Sequence, residues 1–232
     1  MRISELYESS PVRGADAVII GSGPSLGVFP VDWLKGRVCI TLNDTHKHLP
    51  DWVGPISFSN AKQWSEPFND NHSIRIIKGR LRFDPRPEKH DNHVPWFSED
   101  YYVFSYYDRR HGDDRDHFDR AELWREPDYY WNGPGGTVCI LATQFALLGG
   151  AKSIMIVGCD CCELGGDAYV KGKKQRKFVK RKYHKDAEGM LIMFHEARKR
   201  FGVPCVSVTP FAGFGREADQ MQQMQGWASA KS

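Results

Sequence analysis

The sequence lacks the features that mark membrane or secreted proteins. Its 232 residues contain no apolar run near the ~20 residues that a membrane-spanning helix needs. The opening segment MRISELYESSPVRGAD has no apolar core flanked by basic residues, so we predict no signal peptide. The net charge of +3 is too small to indicate a nucleic-acid-binding protein by itself. We therefore expect a cytoplasmic protein without a membrane span.

The sequence also lacks the paired cysteine motifs of a structural zinc site. Cys159-Asp160-Cys161-Cys162 has no second Cys-x2-Cys partner elsewhere in the chain, which argues against zinc. The histidine- and aspartate-rich stretches HDNH (90–93) and HGDDRDHFD (111–119) favour exposed polar loops over a metal site. Four of the six cysteines lie in or beside apolar segments, which predicts reduced core thiols: Cys39, Cys139, Cys159 and Cys205.

The apolar segments that are present alternate between strand and helix patterns. The 41% hydrophobic and 26% charged content is that of an ordinary soluble protein. Short apolar runs predict strands at 17–20, 37–44, 54–60, 152–160 and 203–210, and helical spacing predicts helices at 135–151 and 185–202. This alternation predicts one α/β domain over residues 1–232, with a doubly wound, mostly parallel sheet and helices on both faces.

The alternation fails between Ala61 and Asn132. This region is aromatic, rich in histidine and aspartate, and interrupted by proline. We predict that residues 61–132 form an inserted, loop-rich lobe within the domain. The tail after Gly215 is polar, and we expect it to be frayed.

A glycine-rich loop follows the first predicted strand in ADAVIIGSGPSLGVFP (15–30). A dinucleotide-binding loop needs a sixth-position glycine, where this chain has Leu26, and a Walker loop needs a Gly-Lys-Ser/Thr that is absent. The remaining prediction is a tight glycine turn whose free backbone N–H groups face the C-terminal edge of the sheet, where they favour a phosphate or carboxylate. A plain strand-to-helix turn is the alternative.

Several segments in order resemble one enzyme family. The segments IIGSGPSL, ITLNDTH, ISFSN, GGTVCILATQFALLGGAKSIMIVGCD and YHKDAEGMLIMFHEARKRFGVPCVSVTP resemble the bacterial sialyltransferases of glycosyltransferase family 42. They also resemble the motility-associated flagellin glycosyltransferases and the archaeal 6-hydroxymethylpterin pyrophosphokinases. The resemblance covers about residues 17–64 and 133–211 and implies a Rossmann-like fold.

The resemblance implies a site for a nucleotide-activated sugar. The loop would hold the donor phosphate or lie under the sugar, and the other residues would contact the donor or form the floor of its site. These residues are Gly21, Ser22, Gly23, Pro24, Ser25, Asn43, Asn60, Gly136, Thr137 and Asp160.

The same resemblance implies a catalytic pair. His184 precedes the predicted amphipathic helix, as the general-base histidine of the family does, and an imidazole can take a hydroxyl proton at neutral pH. Tyr169 matches one of two family tyrosines that assist departure of the nucleotide phosphate. The other falls near Cys162, which weakens the case for CMP-sialic acid and leaves another nucleotide-activated sugar open.

A strongly basic segment follows Tyr169 and contains His184. Lys171 to Lys185 contains nine lysines and arginines in fifteen residues. In the family this segment is a lid, which here could neutralise a departing phosphate without a metal. A solvated loop and a contact for a polyanion such as nucleic acid are the alternatives.

Three functions remain open from the sequence. The first is a glycosyltransferase that moves a sugar from a nucleotide donor, such as a CMP-sugar, to an acceptor hydroxyl without a cofactor, with the acceptor chosen by the 61–132 lobe. The second is an ATP- and magnesium-dependent pyrophosphokinase of the pterin type, with Asp44 and Asp160 near the metal. The third is a non-catalytic protein that binds nucleotides or nucleic acid.

Overall fold

The computed structural model of the chain describes residues 2–54, 56–59, 74–78, 102–106, 129–130, 137–161 and 183–209. These residues form an α/β fold, which confirms the predicted class. In this part of the chain no helix combines the length and apolarity needed to cross a membrane.

The described strands form one eight-stranded sheet in which every paired neighbour is parallel. Along the sheet the order is β6-β5-β4-β3-β2-β1-β7-β8. The strands are β1 (Asp16–Ile20), β2 (Val38–Leu42), β3 (Ile56–Ser59), β4 (Ile74–Lys78), β5 (Tyr102–Tyr106), β6 (Tyr129–Tyr130), β7 (Ser153–Val157) and β8 (Cys205–Ser207).

Two α-helices occur in the described residues, α1 (Val138–Leu148) and α2 (Tyr183–Phe201). Ten of the eleven residues of α1 are buried, as expected for a helix without a polar face. α2 ends at Phe201, and the φ of +66° at the following Gly202 is a left-handed conformation that favours glycine after a helix. Short 3₁₀ segments cover Ile3–Leu6, Pro24–Val28, Val31–Leu34 and Thr45–His48.

Both faces of the central sheet are buried. Alternate residues of β1 point to opposite sides: Ala17 and Ile19 pack in the cluster that contains α1 and the apolar face of α2. Val18 and Ile20 pack on the other side, with apolar residues of the 3₁₀ segments. Burial on both sides explains the continuous apolar run of β1, which is typical of parallel sheets.

The structure adds three strands that the sequence reading did not predict. β4, β5 and β6 lie within residues 61–132 and extend the same sheet beyond β3. They are short and lie among polar and aromatic residues, so they lack the long apolar runs that identified the other strands. The rest of 61–132 lies outside the described residues, and its predicted role with an acceptor stays a prediction.

Candidate functional site

The order of strands reverses beside β1. The chain runs from β1 to β2 and β3 on one side and later returns to β7 and β8 on the other. In open parallel α/β sheets, ligands bind in the crevice at the carboxyl ends of the strands where such a reversal occurs. A ligand site is therefore expected at the segments that follow β1, β2, β7 and β8.

The loop after β1 packs directly against the segment after β7. A Cβ atom at Gly21 would lie 2.6 Å from both Cys159 Sγ and the Gly158 carbonyl oxygen. A Cβ atom at Gly23 would lie 2.6 Å from Asp160 Oδ2 and from the same carbonyl oxygen. The two glycines are required because any side chain would force the two segments apart.

The backbone donors of this loop are bonded within the protein. The Gly21 N–H donates to the Val157 carbonyl at 2.8 Å and the Gly23 N–H to the Gly158 carbonyl at 2.7 Å. The Ser25 N–H donates to Asp160 Oδ2 at 2.8 Å, and the Leu26 N–H to the Gly23 carbonyl at 3.0 Å. The expectation of loop N–H groups open to a ligand is therefore wrong for these four residues, because neighbouring backbone and Asp160 take their hydrogen bonds.

The Asp160 carboxylate links the segments that follow three strands, β1, β7 and β8. Its carboxylate also accepts a hydrogen bond from the Ser25 hydroxyl and, at 3.4 Å, one from the Thr209 hydroxyl. Thr209 Oγ1 in turn accepts the Gly158 N–H at 2.7 Å. We call Ser25, Asp160 and Thr209 the carboxylate clamp. Thr209 follows β8 and was missed from the sequence, where a threonine before proline at a strand end gave no signal.

Burial dominates the acid–base behaviour of the clamp. Asp160 is only 2% exposed, and this burial raises the pKa of its carboxyl to about 6, against the lowering effect of the hydrogen bonds from Ser25 and Thr209. At neutral pH the carboxylate is mostly ionised. The clamp therefore keeps a negative charge beneath the loop.

Asn43 occupies the end of β2. Its φ of +51° is a left-handed conformation that asparagine tolerates better than most residues. Its N–H donates to the Phe58 carbonyl at 3.0 Å, and its side-chain Oδ1 accepts the Ser59 hydroxyl at 3.4 Å. With Oδ1 held in this way, the amide NH₂ group is the part of the side chain available as a donor.

Cys139 and Cys159 form a contact between α1 and the site. A hydrogen bond with the Cys139 thiol, followed by burial, raises the pKa of Cys159 well above its usual value, so the thiol is a poor nucleophile.

The cysteines in the described residues are free thiols, as predicted for Cys39, Cys139, Cys159 and Cys205. Within the described ranges no group of three or more His, Cys, Asp or Glu side chains is arranged to hold a metal ion.

The structure brings some of the predicted site residues together and leaves others undescribed. Gly21 to Ser25, Asn43 and Asp160 lie at the carboxyl edge of the sheet. Thr137 lies at the N-terminus of α1, where its hydroxyl oxygen accepts the Cys139 N–H at 3.4 Å as a helix cap. Asn60, Gly136, Tyr169 and residues 171–182 of the basic segment lie outside the described residues.

The position of His184 differs slightly from the prediction. α2 begins at Tyr183, so His184 lies in the first turn of the helix and does not precede it. The position of its side chain lies outside what the structure describes.

Comparison of the chain with family models, with curated protein sequences and with solved structures found no match.

Proposed function

We propose that this protein is a glycosyltransferase with a Rossmann-like, doubly wound fold, which moves a sugar from a nucleotide-activated donor to an acceptor hydroxyl. One observation carries the proposal. The loop Gly21–Ser25, Asn43 and Asp160 follow three adjacent strands at the edge where the strand order reverses. The register pairs Ile20 with Thr41 and with Val157, so the three segments leave the sheet side by side.

The reaction needs a base, a donor site and help for the leaving group. The acceptor oxygen attacks the anomeric carbon, the bond from that carbon to the nucleotide phosphate breaks, and the acceptor proton passes to His184. Tyr169 donates a hydrogen bond to the departing phosphate, and the cations of the Lys171 to Lys185 segment offset its charge. These roles rest on the sequence resemblance.

The amide NH₂ of Asn43 supports a nucleotide donor in this crevice. It is a neutral donor at the end of β2, and nucleotide bases, ribose and phosphate all present oxygen or nitrogen acceptors. Asn43→Ala should therefore weaken CMP binding by the loss of a hydrogen bond, about 2- to 13-fold for a net ~0.5–1.5 kcal/mol.

A thermal-shift series tests the donor class. We expect CMP to raise the melting temperature in EDTA, because a ligand that binds only the folded state stabilises it. Stabilisation by ATP with magnesium, and none by CMP, would instead favour the pyrophosphokinase function. No shift with either nucleotide would contradict both.

A pair of histidine variants tests the catalytic step. His184→Ala should lower the rate of sugar transfer or donor hydrolysis by about 10²–10⁴, the usual contribution of a general base. His195→Ala is the matched control, since His195 is an exposed residue of the same helix. Equal activity of the His184 variant and the control would remove His184 from the mechanism.

A further inference from the structure

The loop after β1 holds an anion that belongs to the protein. In a phosphate-binding loop, backbone N–H groups and a hydroxyl converge on a phosphate oxygen. Here the Ser25 N–H and the Ser25 hydroxyl converge on the two oxygens of Asp160. The Asp160 carboxylate thus occupies the position that a ligand phosphate would take at Ser25.

The remaining donors of the loop are few. The N–H groups of Gly21, Gly23 and Leu26 donate to backbone carbonyls, and Pro24 has no N–H. The Ser22 N–H has no hydrogen-bond partner in the described part of the chain. The Ser22 N–H and the hydroxyl of the same residue are fewer donors than the converging set of backbone N–H groups by which a loop binds phosphate.

The charge beneath the loop opposes a ligand anion. The groups that face the Asp160 carboxylate from the described residues are the Ser25 N–H and hydroxyl, the Thr209 hydroxyl and the neighbouring Cys159 thiol. The N–H and the two hydroxyls are neutral groups. The Cys159 thiol is also uncharged at neutral pH, because its pKa is raised well above its usual value. The position of a Cβ atom at Gly23 is only 2.6 Å from Asp160 Oδ2, so the carboxylate lies directly against the loop backbone.

We infer that the carboxylate clamp makes the Gly21–Ser25 loop a surface for an uncharged part of the donor, and that the donor phosphate lies elsewhere in the crevice. Ser25 and Thr209 are positioning residues that hold this surface through Asp160. The inference rests on the proposed function for the identity of the ligand. The exclusion of anions from the loop follows from the clamp itself.

Asp160→Asn removes the charge, keeps the bond from the Ser25 N–H, and can replace the two bonds from the hydroxyls by bonds of the opposite direction. The amide oxygen can accept the Ser25 N–H, and the amide NH₂ can donate to the Ser25 hydroxyl, which also accepts. Thr209 Oγ1 has a second lone pair for the same NH₂ group beside the Gly158 N–H that it already accepts. This variant therefore isolates the charge from the shape of the loop.

The first experiment compares CMP with cytidine by calorimetric titration of the wild type and Asp160→Asn at pH 8 and low salt. If the uncharged nucleoside contacts the loop, the ratio of the two dissociation constants should change by less than about 3-fold between the proteins. If the phosphate lies against the clamp, loss of a nearby unit charge should strengthen CMP relative to cytidine by about 10-fold or more. The second result would overturn the inference.

The second experiment does not depend on the identity of the ligand. Inorganic phosphate is titrated into the wild-type protein while the backbone amide signals of Gly21 to Leu26 are followed by NMR. We expect no saturable shift of these signals, and a saturable shift would contradict the exclusion of anions. If neither CMP nor cytidine binds, the proposed function and its nucleoside contact fail, and the phosphate titration still decides whether the loop excludes anions.

A third experiment tests the positioning roles. Thr209→Val keeps the side-chain shape but removes the hydroxyl, whereas Thr209→Ser keeps the hydroxyl. Thr143→Val is the matched control, because Thr143 is fully buried and its hydroxyl donates within α1, to the Cys139 carbonyl. We expect the Ser25 and Gly158 amides to exchange with solvent about 10-fold faster in Thr209→Val only. Unchanged exchange of the Ser25 amide in that variant would show that Thr209 does not position the loop.

Discussion

At the scale of single residues, Asp160 has the most unusual environment in the described site. Its carboxylate is almost fully buried, and the partners of its charge among the described residues are hydrogen-bond donors of Ser25 and Thr209. Hydrogen bonds to an ionised group stabilise it, but here burial outweighs them and the pKa rises to about 6. An acid with a raised pKa in a crevice is a common feature of functional sites.

Asp160 should make the stability of the protein depend on pH. The folded pKa of about 6 exceeds the ordinary value of 3.8, so the folded state holds this proton more tightly. The contribution of Asp160 to the free energy of unfolding is therefore greatest below pH 4 and is lost as the pH rises to 6. A shift of this size corresponds to about 3 kcal/mol.

The measurement is urea unfolding of the wild type and Asp160→Asn at pH 4.5 and pH 7.5. We expect the stability of the wild type relative to the variant to fall by about 1–3 kcal/mol between the two pH values. A difference between the proteins that does not vary with pH would show that the carboxyl titrates normally.

Gly23 tests the close contact between the loop and the clamp. Gly23 has a φ of −65°, which alanine adopts without strain, so Gly23→Ala should act only through the crowding of its Cβ against Asp160 Oδ2 and the Gly158 carbonyl. We expect a loss of about 1–3 kcal/mol in the free energy of unfolding. Urea titration at pH 7.5 measures it.

Gly14→Ala is the contrasting control. Gly14 has a φ of +70°, and apart from its own residue and its two chain neighbours no atom of the described residues lies within 4 Å of the added carbon, so the substitution adds backbone strain without crowding. Its cost should be about 1 kcal/mol, and only Gly23→Ala should also shift the amide signals of Ser25 and Leu26. Unperturbed Ser25 and Leu26 signals in Gly23→Ala would mean that the packing is looser than the structure has it.

At the scale of secondary-structure elements, apolar runs in the sequence predicted the central strands of the sheet. They did not predict the side-chain hydrogen bonds between the segments that follow those strands. The predicted strands at 17–20 and 152–160 correspond to β1 and β7, and the predicted helix at 135–151 corresponds to α1. The strand positions place Asn43 and Asp160 at one edge without any knowledge of side chains. The pairing of Ser25 with Asp160 joins residues 135 positions apart, and no local pattern encodes it.

The strands beyond β3 were missed for a physical reason. β4 reads Ile-Arg-Ile-Ile-Lys, and β5 begins and ends with tyrosine, so neither has the uniform apolar run of a central strand. The polar and aromatic residues beside them in the sequence favour the prediction of a loop. Pairing with β3 and with each other supplies the backbone hydrogen bonds that stabilise them.

The cap of α1 gives a prediction at this scale. Thr137 Oγ1 accepts the Cys139 N–H, and because the distance is 3.4 Å we expect a cap at the weak end of the usual range. Thr137→Ala should cost about 0.5–1 kcal/mol in the free energy of unfolding, and Thr137→Ser should cost less because it keeps the hydroxyl. Equal losses in the two variants would exclude the cap as the cause.

The Thr137→Ala variant also distinguishes a role of Thr137 in capping α1 from a contact of its hydroxyl with the donor. If its hydroxyl contacts the donor, as the resemblance implies, Thr137→Ala should weaken CMP binding in addition to lowering stability. Calorimetric titration at a temperature where both proteins are folded measures this. An unchanged affinity would limit Thr137 to its role in the helix.

At the scale of the whole molecule, the reversal of strand order gathers distant segments at one edge of the sheet. Residues after β1, β2, β7 and β8 span positions 21 to 209 of the chain, yet they leave adjacent parallel strands in the same direction. The sequence could predict this edge from the alternation of strands and helices. It could not predict that the loop would be closed by a carboxylate of the protein, because that depends on side-chain packing between β1, β7 and β8.

Hydrogen–deuterium exchange with and without CMP, in EDTA, tests the proposed nucleotide site most directly. We expect CMP to slow exchange in the peptides that contain residues 21–26 and 43–46, and to leave exchange in the peptides of the 3₁₀ segment Ile3–Leu6 unchanged. Exchange rates that CMP leaves unchanged, or protection confined to residues away from the carboxyl edge of the sheet, would contradict this prediction.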